Sequence, residues 1–158
     1  MYKRALIPLD GSPVAETIFP FVLEIAGPLD IEVVLLRVLQ PVPPMVVEGS
    51  RHVVVEDEEA RRLDALEYLA PLAVDLRNRG VRAETRVRHG APASEIVDAA
   101  REVQADLIAM TTHGRSGLRR LVFGSVAEAV LRHSDVPVFL LRATEAEVAG
   151  RTAREPVR

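Results

Sequence analysis

Residues 31–39 read Ile-Glu-Val-Val-Leu-Leu-Arg-Val-Leu, a nearly continuous aliphatic run rather than an apolar–polar alternation. A strand with one face in water alternates, whereas a strand covered on both faces reads as an unbroken apolar stretch. This run therefore predicts a buried strand of a parallel sheet with helices on either side. Upstream, residues 2–9 (YKRALIPL) form a second such run that ends at Asp10-Gly11-Ser12, a strand followed by a turn. Ser12-Pro13 supplies a helix cap and a first-turn proline, with Glu16 in the first turn. Val14, Ile18, Phe21, Val22 and Ile25 then predict one helix over 13–26, closed by Gly27-Pro28. Pro20 lies inside that helix, where it kinks the chain or costs about 3 kcal/mol.

Downstream, residues 40–56 hold three prolines and Gly49 and read as the longest irregular stretch. Residues 57–79 predict a long helix with Leu63, Leu66, Leu69, Ala70, Ala73 and Leu76 on its apolar face and Pro71 as an internal breaker. VRAETRVR (81–88) alternates, as an edge strand tolerates. Gly90-Ala91-Pro92 opens a helix to Val103, and ADLIAMT (105–111) is a fourth strand. A loop over 112–123 leads to a helix starting at Gly124-Ser125, and VFLL (138–141) is the fifth strand. The alternation β-α-β-α-β-α-β-α-β predicts one α/β domain over 1–143: a five-stranded parallel sheet, helices on both faces, flavodoxin-like order 3-2-1-4-5. Residues 144–158 read as a charged tail.

The 158-residue length suits one domain, and 48% hydrophobic content with 27% charge suits a folded globular chain. With aromatics at 4% and no Trp, the core is built from Val, Leu, Ile and Ala. The absence of Cys excludes disulfides, thiolate metal sites and a Cys nucleophile. His52, His89, His113 and His133 show no metal-ligand spacing. A net charge of −3 argues against nucleic-acid binding, and no apolar run approaches the roughly 18 residues of a membrane span. Lys3 and Arg4 precede too short an apolar run for a signal peptide, so the expected location is cytoplasmic.

Open parallel sheets bind ligands beyond the carboxyl ends of their strands, where strand order reverses. That rule singles out Asp10-Gly11-Ser12, Val38-Leu39-Gln40 and Thr111-Thr112-His113-Gly114. Gly114, Gly117 and Gly124 let backbone approach a ligand, and a helix starting at Gly124-Ser125 exposes unpaired N–H groups. Arg115, Arg119, Arg120 and Arg132 face only Glu128 over residues 111–134, a local positive excess suited to an anion such as phosphate. Turn chemistry and solvated arginines would produce the same pattern. Asp10 can accept from a ligand or organise its own turn, and His113 can donate to phosphate or serve as an acid or base. No Walker-type or dinucleotide glycine motif occurs.

Over residues 2–142 the chain resembles the universal stress protein family, a group with an adenine nucleotide alpha hydrolase-like fold. The resemblance rests on Ile7-Pro8-Leu9-Asp10-Gly11-Ser12, the strand 105–110, Thr112-His113-Gly114-Arg115-Ser116-Gly117, Phe123-Gly124-Ser125-Val126 and Ser134-Asp135-Val136-Pro137-Val138. ATP-binding members carry G-x2-G-x9-G-[ST]; here Gly114 and Gly124-Ser125 match, while Thr111 stands at the first Gly. The resemblance implies an ATP, ADP or AMP site, with Mg2+ or Mn2+ accompanying the nucleotide. It places adenine near Pro8, Asp10 and Val38, ribose near Met110, Thr111 and Gly114, and phosphates against Gly114, Gly124, Ser125 and Val126, with His113 close by. It also implies a homodimer through Val138, Phe139, Leu140 and Leu141, a short apolar edge strand that invites a second copy. The functional expectation is a nucleotide-dependent regulatory dimer. A slow ATPase or phosphotransferase and a nucleotide-free dimeric interaction module are the alternatives.

Overall fold

The structure, a computed structural model, describes residues 1–42, 45–46, 53–54, 57–113 and 124–152. Its elements are β1 (Arg4–Leu9), α1 (Pro13–Glu16), α2 (Phe19–Ala26), β2 (Glu32–Leu39), β3 (Met45–Val46), β4 (Val53–Val54), α3 (Glu58–Asn78), β5 (Ala83–His89), α4 (Pro92–Glu102), β6 (Leu107–His113), α5 (Ser125–His133), β7 (Val138–Ala143) and α6 (Glu145–Thr152). The main sheet runs β5-β2-β1-β6-β7 with every pair parallel, the expected 3-2-1-4-5 order of its five strands.

Residue alternation splits the core in two. Ile7, Leu9, Val33, Leu35 and Ala109 join Ile18, Phe19, Val22, Leu69 and Leu76 of α2, α3 and the turn before α2. Leu6, Val34, Leu36, Ile108 and Met110 join Ile96, Ala99, Ala127 and Val130 of α4 and α5 on the opposite face. Each central strand thus feeds both cores, which is why 31–39 reads as apolar throughout.

Several expectations are corrected. The single helix over 13–26 is two helices, α1 and α2, parted at Thr17-Ile18. Pro20 falls in the first turn of α2, where a missing N–H is harmless, so the break replaces the kink. Pro71 does stay inside α3; both it and Glu67, whose carbonyl loses its donor, lie on the solvent side. The buried stripe of α3 is Ala65, Leu69, Ala73 and Leu76, with Leu63 half-exposed. The stretch 40–56 contains the short antiparallel pair β3–β4. β6 begins two residues later than expected and extends to His113, so Thr112 and His113 belong to the strand.

The tail carries α6, which lies against α1. Its start is a capping box: Thr144 N and Oγ1 both donate to Glu147 Oε2 at 2.8 Å, and Glu147 N donates back to Thr144 Oγ1 at 3.3 Å. The Thr144 backbone N–H, and then its hydroxyl, hold the Glu147 carboxyl below the usual range. Because the folded-state pKa is depressed, the box is intact above the ordinary carboxylate pKa and is lost as pH falls through the lowered value. The start of α6 should therefore fray on acidification, read as loss of Thr144 amide protection while β1 and β2 amides stay protected.

Candidate functional site

β1 pairs with β6 only at Ala5–Leu107 and Leu6–Ile108, whereas β6 follows β7 from Ile108 to His113. Beyond Leu6 the two central strands separate, and a cleft opens at the carboxyl crest of the sheet. Pro8 sits where they part. Arg4 accepts from Asp106 of the β6 side and Lys3 pairs toward β2, so by alternation Pro8 faces β6. A proline offers no N–H there, and the ladder has already ended. At the opposite end, the Asp106 carboxylate accepts from Lys3 N (2.8 Å) and Arg4 N (3.2 Å), and Arg4 pairs with Glu32 (2.7 Å). The strands are fastened at their amino ends and open at their carboxyl ends.

The cleft measures about 400 Å3. Pro8, Asp10, Val38, Met110, Thr111, Gly124, Ser125 and Val126 all line it, so eight of the ten residues chosen from sequence lie around one cavity. The backbone of His113 ends β6 beside it. The His113 side chain and Gly114, Arg115, Arg119 and Arg120 lie outside the described residues. Arg132 does not join the group: it pairs with Glu128 at 2.8 Å on α5.

The floor and walls follow from local sequence. Asp10 Oδ1 accepts from Ser12 N (2.9 Å) and Ser12 Oγ (2.6 Å), and Ser12 Oγ accepts from Ala15 N (3.2 Å) to cap α1. This turn requires Gly11, whose φ of +84 strains any other residue. Asp10 thus organises the turn, with its second oxygen free of hydrogen bonds among the described residues. Tyr68 donates to Glu16 (2.9 Å) and ties α3 to α1; burial, then the Glu16 charge, push its phenol pKa up.

Facing this wall is the start of α5. Its cap is Gly124, which makes no side-chain cap hydrogen bond; Ile18 and Ala91 at α2 and α4 make none either, whereas Ser12, Asp57 and Thr144 cap α1, α3 and α6. Among the described residues the first amides of α5 thus have no side-chain acceptor, and Gly124, Ser125 and Val126 bring the positive end of the helix dipole to the cleft wall. A Cβ added at Gly124 would meet no described atom within 4 Å.

Thr111 occupies the position where a glycine was expected, and its side chain turns toward α1. Its hydroxyl lies 3.4 Å from both Ala15 O and Thr17 Oγ1, and Thr17 donates to Val14 O at 2.7 Å. Sequence reasoning missed Arg37, Val14, Ala15, Pro92 and Ile96 as lining residues, and singled out Thr112 by its place at a strand end without giving it a role. A signal existed for some: crossover helices start at the same crest where strands end, so the starts of α1 and α4 fall under the rule that selected Gly124. Among the described residues, no group of three His, Asp or Glu side chains is placed to hold a metal ion. No helix among them is long and apolar enough to cross a membrane.

Fold and cleft define a doubly wound α/β protein with a ligand-sized opening at its switch point. The universal stress protein family model matches residues 1–142, and the chain belongs to that family. It is 34% identical over 149 residues to universal stress protein MJ0531 of Methanocaldococcus jannaschii, covering 93% of this chain and 86% of the relative. Among solved structures it is similar to the universal stress protein from Archaeoglobus fulgidus in complex with dAMP, at 26% identity and TM-score 0.62, covering 88% of this chain and 97% of the other. It shares its fold with a universal stress protein in complex with cAMP, at 20% identity and TM-score 0.64, covering 90% and 98%.

Proposed function

We propose that the crest cleft binds an adenine nucleotide (ATP, ADP or AMP) and that the protein acts as a nucleotide-dependent regulatory homodimer in the cytoplasm. One observation carries the reading: α5 begins at a glycine with no side-chain cap among the described residues, on the wall of a cleft of about 400 Å3, an opening on the scale of small-molecule sites. The unpaired amides suit the phosphates, and the apolar surfaces of Pro8, Val38 and Met110 suit the base and sugar. The dAMP complex of the Archaeoglobus fulgidus relative supports the ligand class. Mg2+ or Mn2+ would arrive with the phosphates, which supply its oxygens. Thr111 does not oppose this reading, since its side chain is occupied on the α1 side. Calorimetric titration with AMP, ADP and ATP, with and without Mg2+, tests it; no heat of binding with any of the three would refute it.

The dimer reading rests on the contrast between the two sheet edges. β5 carries Glu84, Arg86 and Arg88, with Glu84–Arg86 paired at 3.1 Å and Arg88 paired with Glu95 at 2.6 Å and with Glu102. Charges of this kind discourage strand pairing. β7 presents Val138, Phe139, Leu140 and Leu141, all half-buried, with Phe139 stacked on Phe21 at 4.0 Å between ring centroids. Pairing of β7 with a second copy would cover its open edge and apolar side chains together. Leu140→Arg should shift the protein from dimer to monomer in sedimentation at micromolar concentration while its circular dichroism is retained. A wild-type monomer at that concentration would refute the dimer.

A further inference from the structure

The Thr112 hydroxyl is buried and has no hydrogen-bond partner among the described residues. Its neighbour differs: Thr111 Oγ1 turns toward Ala15 O and Thr17 Oγ1 on the α1 side. Strand alternation sends Thr112 to the other face, with Ile108 and Met110, and onto the wall of the cleft that also carries Gly124 and Ser125. The strand itself is held there by pairing of Thr112 with Arg142 of β7. Buried hydroxyls in folded proteins almost always have a partner, so one left without points to a group that arrives from outside.

We propose that Thr112 donates a hydrogen bond to a phosphate oxygen of the bound nucleotide and is a specificity-determining residue of the cleft. The inference rests on the nucleotide reading of that cleft and assigns a role to a side chain that the family resemblance left without one. The chemistry of the wall selects the phosphate rather than the base or sugar. The first amides of α5 are donors without intrahelical acceptors, and a hydroxyl can turn its proton to whatever acceptor is presented. Amides of a helix start and a hydroxyl on one side of the cleft, all able to donate, favour an oxyanion there.

Thr112→Val keeps the shape and β-branching of the side chain and deletes the hydroxyl, and Thr112→Ser restores it. With the full chain, Thr112→Val should weaken AMP about tenfold by calorimetry, as loss of one hydrogen bond to a charged group does. Adenosine affinity should be unchanged, and Thr112→Ser should bind AMP as the parent does. The free Thr112→Val protein should melt at the parent temperature or above it, because no partner loses its bond. Unchanged AMP affinity in Thr112→Val overturns the proposal, as does an equal loss for adenosine and AMP. A lowered melting temperature of the free variant also overturns it, since the hydroxyl would then have a structural partner. A parent protein that binds neither AMP, ADP nor ATP refutes the nucleotide reading itself, a result separable from all of these.

Discussion

Gly124→Val should abolish most nucleotide binding while the protein still folds. The backbone at Gly124 has φ −58 and ψ 150, an extended conformation that valine adopts readily. A Cβ there meets no described atom within 4 Å, so the folded chain accommodates the new side chain. The methyl groups would then occupy the space in front of the opening amides of α5. Hydrogen bonds to a charged phosphate contribute about 1.5–3 kcal/mol each, so blocking two costs roughly a hundredfold or more in affinity. Calorimetry with ADP reads the loss, and thermal unfolding of the free protein should move little. Unchanged ADP affinity would mean that the phosphates are not held at the start of α5.

Leu35→Ala should have the largest effect on stability. Leu35 is 0% exposed at the middle of β2, in register with Ile7 of β1 and Thr85 of β5. It belongs to the core shared with α2 and α3, where strands on either side leave the backbone little room to collapse into a void. Truncating a buried leucine to alanine costs about 2–5 kcal/mol, a large share of the roughly 5–15 kcal/mol that holds a domain folded. The urea midpoint should fall with the slope of the transition unchanged. A loss below about 1 kcal/mol would mean that this face of the sheet repacks around the gap.

These two positions differ in how they could be read from the chain. Leu35 lies in the run 31–39, whose apolar residues at both parities already imply a strand covered on two faces. Gly124 was legible as one end of a spacing, Gly114 to Gly124-Ser125, joined to a helix start. Asp10 was legible too, though its turn-organising bonds to Ser12 and its place on the cleft wall turn out to be compatible roles. The split of α1 from α2 was less accessible. Periodicity at Val14, Ile18, Phe21 and Val22 continues across the break, because Ile18 at the junction and Phe19 at the start of α2 stay in the same core. The Thr144–Glu147 box was overlooked because a short capped helix needs no long apolar period to announce it.

Local patterns are enough to establish the elements and their parallel arrangement and to point to the crest of the sheet, because period and helix-start chemistry are properties of neighbouring residues. Which side chains meet there is a matter of long-range register. Thr111 and Thr112 are adjacent and chemically identical and both line the cleft, yet only the Thr111 hydroxyl turns to α1. Arg37 and Pro92 join the same cavity from strands and helices far apart in the chain. Only the parting of β1 from β6 after Leu6 creates the space between them, since strand pairing is decided by packing across the whole sheet.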